Sequence, residues 1–352
     1  MIKEIGGEFY LIPKLNFTKN GIFDLLKGYD YQLFESGREA FEIINKLTNK
    51  KILFPSYACD SMYQFLNKEN LIFYNVDSDF NIDIKDIQKE INNEEIGVLI
   101  FVNYFGKLQD KKVLSYINSL KEKGIIVIED TTHSFFTNIC TIGDYCIASL
   151  RKWFCLPNGG ILYSKKNFNQ LETSINNYFN FERKKAFALK KKYLTNGNFS
   201  KKDFLKLFNE TEDFLDKNKE INEISKESFE ILNKIDVKNL IKRRRENYKY
   251  LLKKLKKSSQ IKFYKIDIKI EVPLFLVIKL KNNIEREEIH KYLIKNKIYC
   301  PIHWPLIDDI NENFAVNNFI EKIISIPIDQ RYTKREMNYI YKKIFKYFKE
   351  KI

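Results

Sequence analysis

Cysteine, proline and glycine are scarce in this sequence of 352 residues, which contains 5, 7 and 12 of them. Because aromatic residues make up 15% of the chain, the shortage of proline and glycine argues against disorder. The odd number of cysteines and the absence of a Cys-x-x-Cys pair predict neither a disulfide framework nor a metal site. No apolar run approaches the roughly 18 residues of a membrane helix, and the N-terminus lacks a signal-peptide pattern. We therefore expect a cytoplasmic protein with reduced cysteines and no membrane partner.

Negative charge is in deficit, because 46 acidic residues oppose 61 basic ones and leave a net charge of +15. One interpretation is attraction of an anionic substrate or of nucleic acid. The other, which we favour, is a spread of lysines over exposed helix faces. The strongest nucleic-acid candidate is the run Arg243–Arg245 with Lys249, Lys253 and Lys254. Its spacing also fits an exposed helix face, so no nucleic-acid partner is expected.

Short apolar runs alternate with helical patterns in the first half of the chain, which predicts an α/β fold with a mostly parallel sheet flanked by helices. The runs LIFVNYF and IIVIED are apolar throughout, as in strands that are buried on both faces. The predicted strands are 51–54, 71–75, 97–102, 125–129, 145–149 and 161–164. The predicted helices are 37–46, 61–66 and 110–122.

The pattern changes in the second half, where Lys/Glu-rich helical periodicity covers residues 167–257 without a convincing strand. After it, strands are predicted at 261–268 and 273–280, and helices at 284–296 and 334–351. We predict a large α/β domain of residues 1–235, with a helical insert at about 166–221, and a smaller C-terminal α+β domain of residues 236–352. Since no proline or glycine marks the boundary, we expect it within a long helix around residue 236.

Polar residues follow several predicted strands, at the edge where open α/β sheets bind ligands. Ser36 and Gly37 begin a predicted helix whose free N–H groups suit a phosphate, although an ordinary serine cap has the same pattern. Asp130 ends a buried strand, where a carboxylate needs a positive partner. Lys152 stands beside another cation and an aromatic residue, a setting that can make an amine nucleophilic. A structural ion pair for Asp130 and a surface position for Lys152 are the alternatives.

Taken together, these residues suit pyridoxal phosphate (PLP). The Ser-Gly turn would hold the phosphate, and Asp130 would keep the pyridine nitrogen protonated so that the ring withdraws electrons. Lys152, 22 residues after Asp130, would form the Schiff base.

The chain resembles a known family in the segments FESGREAF, ILFPSYACDS, NYFGK, VIEDTTHSF, ASLRKW…NGGIL and IISIPIDQRYT. Over roughly residues 30–180 and 222–345 it is similar to the DegT/DnrJ/StrS sugar aminotransferases of PLP fold type I. The resemblance implies PLP as cofactor, a homodimer with its sites at the interface, and transfer of an amino group from glutamate to a nucleotide-linked keto sugar, in surface-carbohydrate or related biosynthesis. The alternatives are a small phosphorylated ketone or another carbohydrate precursor as substrate, or a PLP-binding protein without turnover.

The resemblance also implies roles for individual residues. Lys152 matches the Schiff-base lysine, which would also move the proton during transfer, and Asp130 matches the partner of the pyridine nitrogen. The other implied cofactor-binding residues are Ser36, Gly37, Arg38, Tyr57, Cys59, Tyr104, His133, Ser149 and Asn222. His303 is a candidate substrate-binding residue. So is Arg331, which would grip the diphosphate, or alternatively would pair with Asp329 and brace the small domain.

The sequence departs from the family pattern at several positions. Cys59 stands where many members have the aromatic residue that stacks on the cofactor, which leaves Tyr57 or Tyr104 for that role. The segment from Ser149 to Lys152 is two residues shorter than usual. Asn222 is the nearest match to an asparagine that reaches the phosphate in the partner subunit.

Overall fold

The computed structural model describes residues 4–10, 21–196, 199–304 and 314–351. The strands are β1 (Ile5–Gly6), β2 (Asp30–Phe34), β3 (Lys51–Pro55), β4 (Leu71–Tyr74), β5 (Ile96–Val102), β6 (Ile126–Asp130), β7 (Tyr145–Ser149), β8 (Gly160–Ser164), β9 (Lys262–Phe263), β10 (Phe275–Lys279), β11 (Ile298–Tyr299) and β12 (Ile323–Pro327). The helices are α1 (Glu42–Leu47), α2 (Ile84–Asn93), α3 (Lys111–Glu122), α4 (Asn177–Asn196), α5 (Lys201–Lys217), α6 (Lys226–Lys234), α7 (Val237–Leu255), α8 (Asn283–Lys295) and α9 (Lys334–Lys349).

A seven-stranded sheet forms the centre of the first half, in the order β2-β8-β7-β6-β5-β3-β4. The strands from β7 to β4 pair in parallel, whereas β8 is antiparallel to both of its neighbours. Every residue of β5 is buried, as a strand covered on both faces requires. The predicted mostly parallel α/β sheet is confirmed. The parallel pairing brings the carboxyl ends of β3, β5, β6 and β7 to one edge.

A smaller antiparallel sheet, in the order β12-β10-β9, forms the centre of the second half together with α7, α8 and α9. Strand β1 pairs in parallel with β11, so residues 5–6 lie against this half. The division at residue 236 stays a prediction, but its expected place inside a long helix is wrong. Asp236 caps α7 by accepting a hydrogen bond from the Asn239 N–H at 3.0 Å, and therefore lies between α6 and α7.

Several predicted elements are shorter than expected. Residues 61–66 contain only the end of a 3-10 turn, and residues 37–46 contain a 3-10 turn followed by α1. Of the predicted strand 261–268, only β9 forms, because side chains bind the backbone that follows it. The Tyr248 hydroxyl accepts from the Ile266 N–H at 3.1 Å, and Glu271 Oε2 accepts from the Asp267 N–H at 2.8 Å. The sequence analysis missed β1, β2, α2, β11 and β12.

The predicted helical insert contains α4 and α5, which pack against each other around Phe187, Phe204 and Phe208. The basic run Arg243–Arg245 lies on α7 as expected for a helix. Its interpretation as an exposed face is wrong for Arg244, which is only 1% exposed. Among the described residues, the helices include none with the length and apolarity needed to cross a membrane.

Candidate active site

A cavity of about 250 Å³ lies at the edge of the large sheet where the parallel strands end. It is called the first cavity below. The residues that line it are Ser36, Gly37, Arg38, Phe41, Cys59, Asp60, Ser61, Met62, Val102, Asp130, Thr132, His133, Ser149, Arg151, Lys152, Glu212, Asp216 and Trp304. The structure thus brings together eight of the predicted site residues, which come from four separate parts of the large sheet.

Lys152 ends a short 3-10 turn, Leu150–Lys152, that directly follows β7. Its side chain lines the first cavity and is exposed there. Lys152 makes no hydrogen bond or ion pair with any described residue. The amine is therefore free to react with a ligand in this cavity.

Asp130, the last residue of β6, is 4% exposed. Its Oδ1 accepts a hydrogen bond from the Thr132 N–H at 2.7 Å. Burial raises the pKa of Asp130 to about 6, although hydrogen bonds from the side chain and backbone of Thr132 and the charge of Lys152 all lower it. A positively charged ring nitrogen in the cavity would balance the buried charge of this carboxylate.

The turn at Ser36 and Gly37 touches the start of β8 very closely. A Cβ atom on Gly160 would lie 2.0 Å from the Ser36 carbonyl oxygen, and one on Gly37 would lie 3.0 Å from the Cβ of Ser149. Glycine at both positions therefore lets the turn, β7 and β8 meet at the cavity wall. The Ser36 Oγ is buried without a partner among the described residues, so it remains available to a ligand.

His133 and Trp304 stack at 5.2 Å between ring centroids, with 19° between their planes. Burial lowers the pKa of His133, and the charges of His303 and Lys152 lower it further, so the ring is neutral near pH 7. Its Nε2 is buried without a partner in the described part of the chain. Sequence analysis missed Trp304 as a cavity residue, because the loop that carries it has no periodic pattern.

Charged residues of the insert close one side of the first cavity. Glu212 on α5 lies 2.9 Å from Arg151, 3.1 Å from Arg183 and 3.5 Å from Arg38. Asp216, one turn further along, also pairs with Arg38. Burial opposes ionisation of Glu212, but the arginines outweigh it and keep its pKa below the usual range. Nothing in the sequence distinguishes these two acidic residues from those of the same helix that do not line the cavity, such as Asp213.

Three predicted cofactor-binding residues do not line the first cavity. Tyr57 and Tyr104 are buried against each other at 5.4 Å between ring centroids. The Tyr57 hydroxyl donates to the His303 carbonyl, and the Tyr104 hydroxyl donates to the Tyr57 carbonyl. Asn222 is also buried, and its Oδ1 accepts a hydrogen bond from Ser174 Oγ at 2.8 Å. Cys59, by contrast, does line the cavity.

Both predicted substrate-binding residues line a second cavity, of about 280 Å³, which shares Arg151 and Lys152 with the first. Arg331 donates to both carboxylate oxygens of Asp329, at 2.8 and 2.9 Å, and to the carbonyls of Gly7 and Glu8. These contacts favour the alternative in which Arg331 braces the small domain. Burial, together with the smaller effect of the charge of Lys152, lowers the pKa of His303 to about 3.

The first cavity fits PLP on four observations of this structure. It presents an unpaired lysine amine, a buried carboxylate, and two buried polar atoms without a partner among the described residues, Ser36 Oγ and His133 Nε2. A glycine turn also approaches Ser149 closely beside Arg38. Lys152 and Asp130 would hold the cofactor ring, and the glycine turn with Ser36, Arg38 and Ser149 would hold the phosphate.

The fold is shared with solved aminotransferases. PseC of Helicobacter pylori, an aminotransferase involved in the biosynthesis of pseudoaminic acid, is 13% identical with a TM-score of 0.68, and the match covers 99% of this chain and 100% of that one. TlmJ, an aminotransferase from Streptoalloteichus hindustanus, is 12% identical with a TM-score of 0.65, and the match covers 94% of this chain and 91% of TlmJ. The PMP form of the putative sugar aminotransferase Spr1654 from Streptococcus pneumoniae is 13% identical with a TM-score of 0.61, and the match covers 89% of this chain and 84% of Spr1654.

These matches confirm the predicted fold type I architecture. No curated protein matches the sequence significantly. A family model described as the DegT/DnrJ/EryC1/StrS aminotransferase family matches residues 64–345, which include Lys152, Asp130 and most of the first cavity. This match confirms the predicted aminotransferase. The chain belongs to the DegT/DnrJ/EryC1/StrS aminotransferase family.

Proposed function

We propose that the protein is a PLP-dependent aminotransferase that transfers the amino group of glutamate to a nucleotide-linked keto sugar. The observation that carries the proposal is the presence, in one cavity, of a lysine amine without a hydrogen bond to the described residues and a buried carboxylate, that of Asp130. The keto sugar is supported by two of the structural relatives, PseC of Helicobacter pylori and Spr1654 of Streptococcus pneumoniae. The proposed setting is surface-carbohydrate or related biosynthesis in the cytoplasm.

When bound, PLP supplies an electron sink for the carbon that carries the transferred nitrogen. The negative charge of Asp130 would hold a proton on the ring nitrogen of the bound cofactor. Lys152 acts as the general base that moves a proton within the substrate, because its amine is unpaired and exposed in the cavity. The neutral His133 supplies a hydrogen-bond group without adding a second positive charge beside Lys152.

The test of the site is covalent labelling. Borohydride reduction of the purified protein, followed by peptide mapping, is expected to place a pyridoxyl group on Lys152. Lys152→Ala should abolish turnover while the fold is kept, whereas Lys165→Ala, which removes an exposed lysine away from both cavities, should change neither. A label on any other lysine contradicts the assignment.

The amino donor and the sugar are tested in separate half-reactions. Glutamate is expected to convert the yellow protein to its colourless amino form, and nucleotide keto sugars are expected to restore the colour. A yellow protein that no amine bleaches would instead be a non-catalytic PLP-binding protein. If high salt leaves the sugar half-reaction unchanged, a small or uncharged keto substrate replaces the nucleotide sugar. Arg331→Ala is expected to leave this half-reaction unchanged if Arg331 only braces the small domain, and to weaken it selectively if Arg331 holds the diphosphate.

The proposal includes a homodimer. Three apolar side chains near the start of α4 are unusually exposed: Ile175 at 72%, Tyr178 at 51% and Phe181 at 64%. Such a group of exposed apolar residues is typical of an interaction surface. Sedimentation at micromolar concentration is expected to give a dimer, and a fully active monomer would refute this part of the proposal.

A further inference from the structure

Two of the five cysteines lie close together beside a buried carboxylate. Cys146 is near the start of β7, and Cys140 is in the loop that leads into this strand. The Sγ atoms of both cysteines and a carboxylate oxygen of Glu129 all lie within 4.8 Å of one another. These three residues are called the dithiol cluster below.

The dithiol cluster is separate from the candidate active site. Glu129 and Cys146 are paired in register on β6 and β7. Because side chains alternate along a strand, Glu129 points to the face of the sheet opposite to that of its neighbour Asp130. Neither cysteine lines the first or the second cavity, so the cluster has no part in the proposed reaction.

The carboxylate of Glu129 is already engaged by the protein. Its Oε2 accepts hydrogen bonds from the N–H groups of Thr141, Ile142 and Gly143 at 2.8, 3.1 and 3.1 Å. Its Oε1 accepts from Asn103 Nδ2 at 2.8 Å. A zinc ion on two thiolates needs further ligands to complete a tetrahedral site, whereas this carboxylate is directed at N–H donors. The cluster therefore favours chemistry between the two sulfur atoms over metal binding.

The loop itself holds the two thiols together. The three N–H contacts fix the loop over Glu129, and a Cβ atom on Gly143 would lie 3.2 Å from Cys146 Sγ. Glycine at this position thus lets the loop pass close to the buried thiol. Cys140 Sγ donates to the Gly143 carbonyl at 3.5 Å, a weak hydrogen bond that a rotation of the side chain would break.

The two thiols differ in their access to solvent. Cys140 is partly exposed, whereas Cys146 is 0% exposed. Burial raises the pKa of the Cys146 thiol, and the hydrogen bond with Cys140 and the charge of Glu129 raise it further. Since oxidation of a thiol requires access, a small oxidant reaches Cys140 first and finds the protonated Cys146 behind it.

We propose that Cys140 and Cys146 form a reversible disulfide when the protein meets a hydroperoxide. The Cys140 sulfur attacks one peroxide oxygen, the O–O bond breaks, and the thiol proton ends on the leaving oxygen, which departs as water or an alcohol. Cys140 is then a sulfenic acid. The Cys146 sulfur attacks the Cys140 sulfur, the S–O bond breaks, and the departing hydroxide takes the Cys146 proton to form water.

This step balances, because two thiols lose two electrons and two protons while one hydroperoxide is reduced to water and an alcohol, or to two waters. Disulfides that form transiently in this way are the kind found in proteins of reducing compartments. The second thiol also limits damage, since a sulfenic acid that meets a thiol becomes a disulfide before it is oxidised further to the irreversible sulfinic acid.

The experiment maps the products of oxidation. The reduced protein is treated with hydrogen peroxide without denaturant, its remaining thiols are blocked with N-ethylmaleimide, and a protease that cuts before aspartate is added. Cleavage at Asp144 separates the two cysteines, so their peptides stay joined only if the disulfide has formed. The variants are Cys140→Ser and Cys146→Ala. Cys59→Ser is the matched control, because Cys59 is also partly exposed but lies outside the dithiol cluster.

The wild type is expected to give the joined peptides, and dithiothreitol should separate them. Cys140→Ser should lose the joined peptides and keep Cys146 as an unmodified thiol, because burial shields it. Cys146→Ala should accumulate the sulfinic acid at Cys140, since its sulfenic acid then lacks the neighbouring thiol. Cys59→Ser should give the joined peptides to the same extent as the wild type.

Two results on the wild type would overturn the proposal without any variant: sulfinic acid at Cys140 in place of the joined peptides, or Cys140 joined to a different cysteine. Zinc that is retained by the purified wild type and lost from Cys140→Ser would also overturn it, and would identify a metal site instead. Each readout follows the sulfur atoms alone, so the result does not depend on the proposed function.

Discussion

Replacement of Asp130 by asparagine is expected to stabilise the cofactor-free protein while it removes activity. The carboxylate is 4% exposed, and the effect of burial outweighs its hydrogen bonds with Thr132, so folding raises its pKa from 3.8 to about 6. A rise of this size corresponds to a destabilisation of about 3 kcal/mol when the group is ionised. Asparagine has nearly the same shape and keeps the oxygen that accepts from Thr132, but it carries no charge.

The difference in stability between the Asp130→Asn protein and the wild type must grow as the pH rises. Because the pKa is higher in the folded protein, folding favours the protonated carboxyl, and the destabilisation is fully present only above about pH 6. It shrinks as the pH falls through that value and vanishes below the unfolded pKa. The Asp130→Asn protein should therefore exceed the wild type by about 3 kcal/mol at about pH 7.5 and by about 1 kcal/mol at about pH 4.5.

Urea unfolding of the cofactor-free proteins at both pH values measures this difference. Asp213→Asn, at an exposed position on α5, removes the same charge and should change the stability by less than about 0.5 kcal/mol. With PLP present, the wild type should become the more stable of the two proteins, because only its Asp130 carboxylate attracts a protonated ring nitrogen. Loss of that charge should lower the pKa of the ring nitrogen by about 1 to 3 and reduce the rate by about 10- to 1000-fold. A variant that is less stable at pH 7.5, or whose gain is independent of pH, would refute the reasoning.

Two further predictions concern the cavity wall. Glu212→Gln should lower the free energy of unfolding by about 1–3 kcal/mol. This is less than the usual cost of breaking a buried ion pair, because the Glu212 side chain is 37% exposed. The control Glu210→Gln, on the same helix, should lower it by less than about 0.5 kcal/mol. Gly160→Ala should cost about 1–3 kcal/mol and weaken PLP retention on gel filtration, since its Cβ would displace the Ser36 carbonyl. Full PLP retention in this variant would show that the turn at Ser36 does not hold the cofactor.

Three of the predicted residues that line the first cavity owe their place to the parallel sheet. Asp130 and Ser149 end the neighbouring strands β6 and β7, and Lys152 follows β7, so the geometry of such a sheet brings these positions together whatever the rest of the chain does. The sheet itself was predictable because β5 and β6 are continuous apolar runs, as strands buried on both faces must be.

Residues whose position depends on packing between distant elements could not be predicted. Arg244 lies in a run of basic residues that fits an exposed helix face, and only the packing of α7 against Leu274 and Trp153 buries it. Glu212 is likewise indistinguishable in sequence from its exposed neighbours. Tyr57 and Tyr104 were expected at the cofactor, but burial among other aromatic side chains holds them away from the cavity.

The cluster around Glu212 has a consequence for the order of folding. Its partners Arg38, Arg151 and Arg183 come from three distant parts of the chain, and Glu8 extends the cluster to the N-terminal residues. Contacts of such long sequence separation form late, because large loops must close first. The pocket wall is therefore complete only in the fully folded chain. A ligand held by this wall cannot stabilise partly folded forms, so its whole binding energy favours the native state.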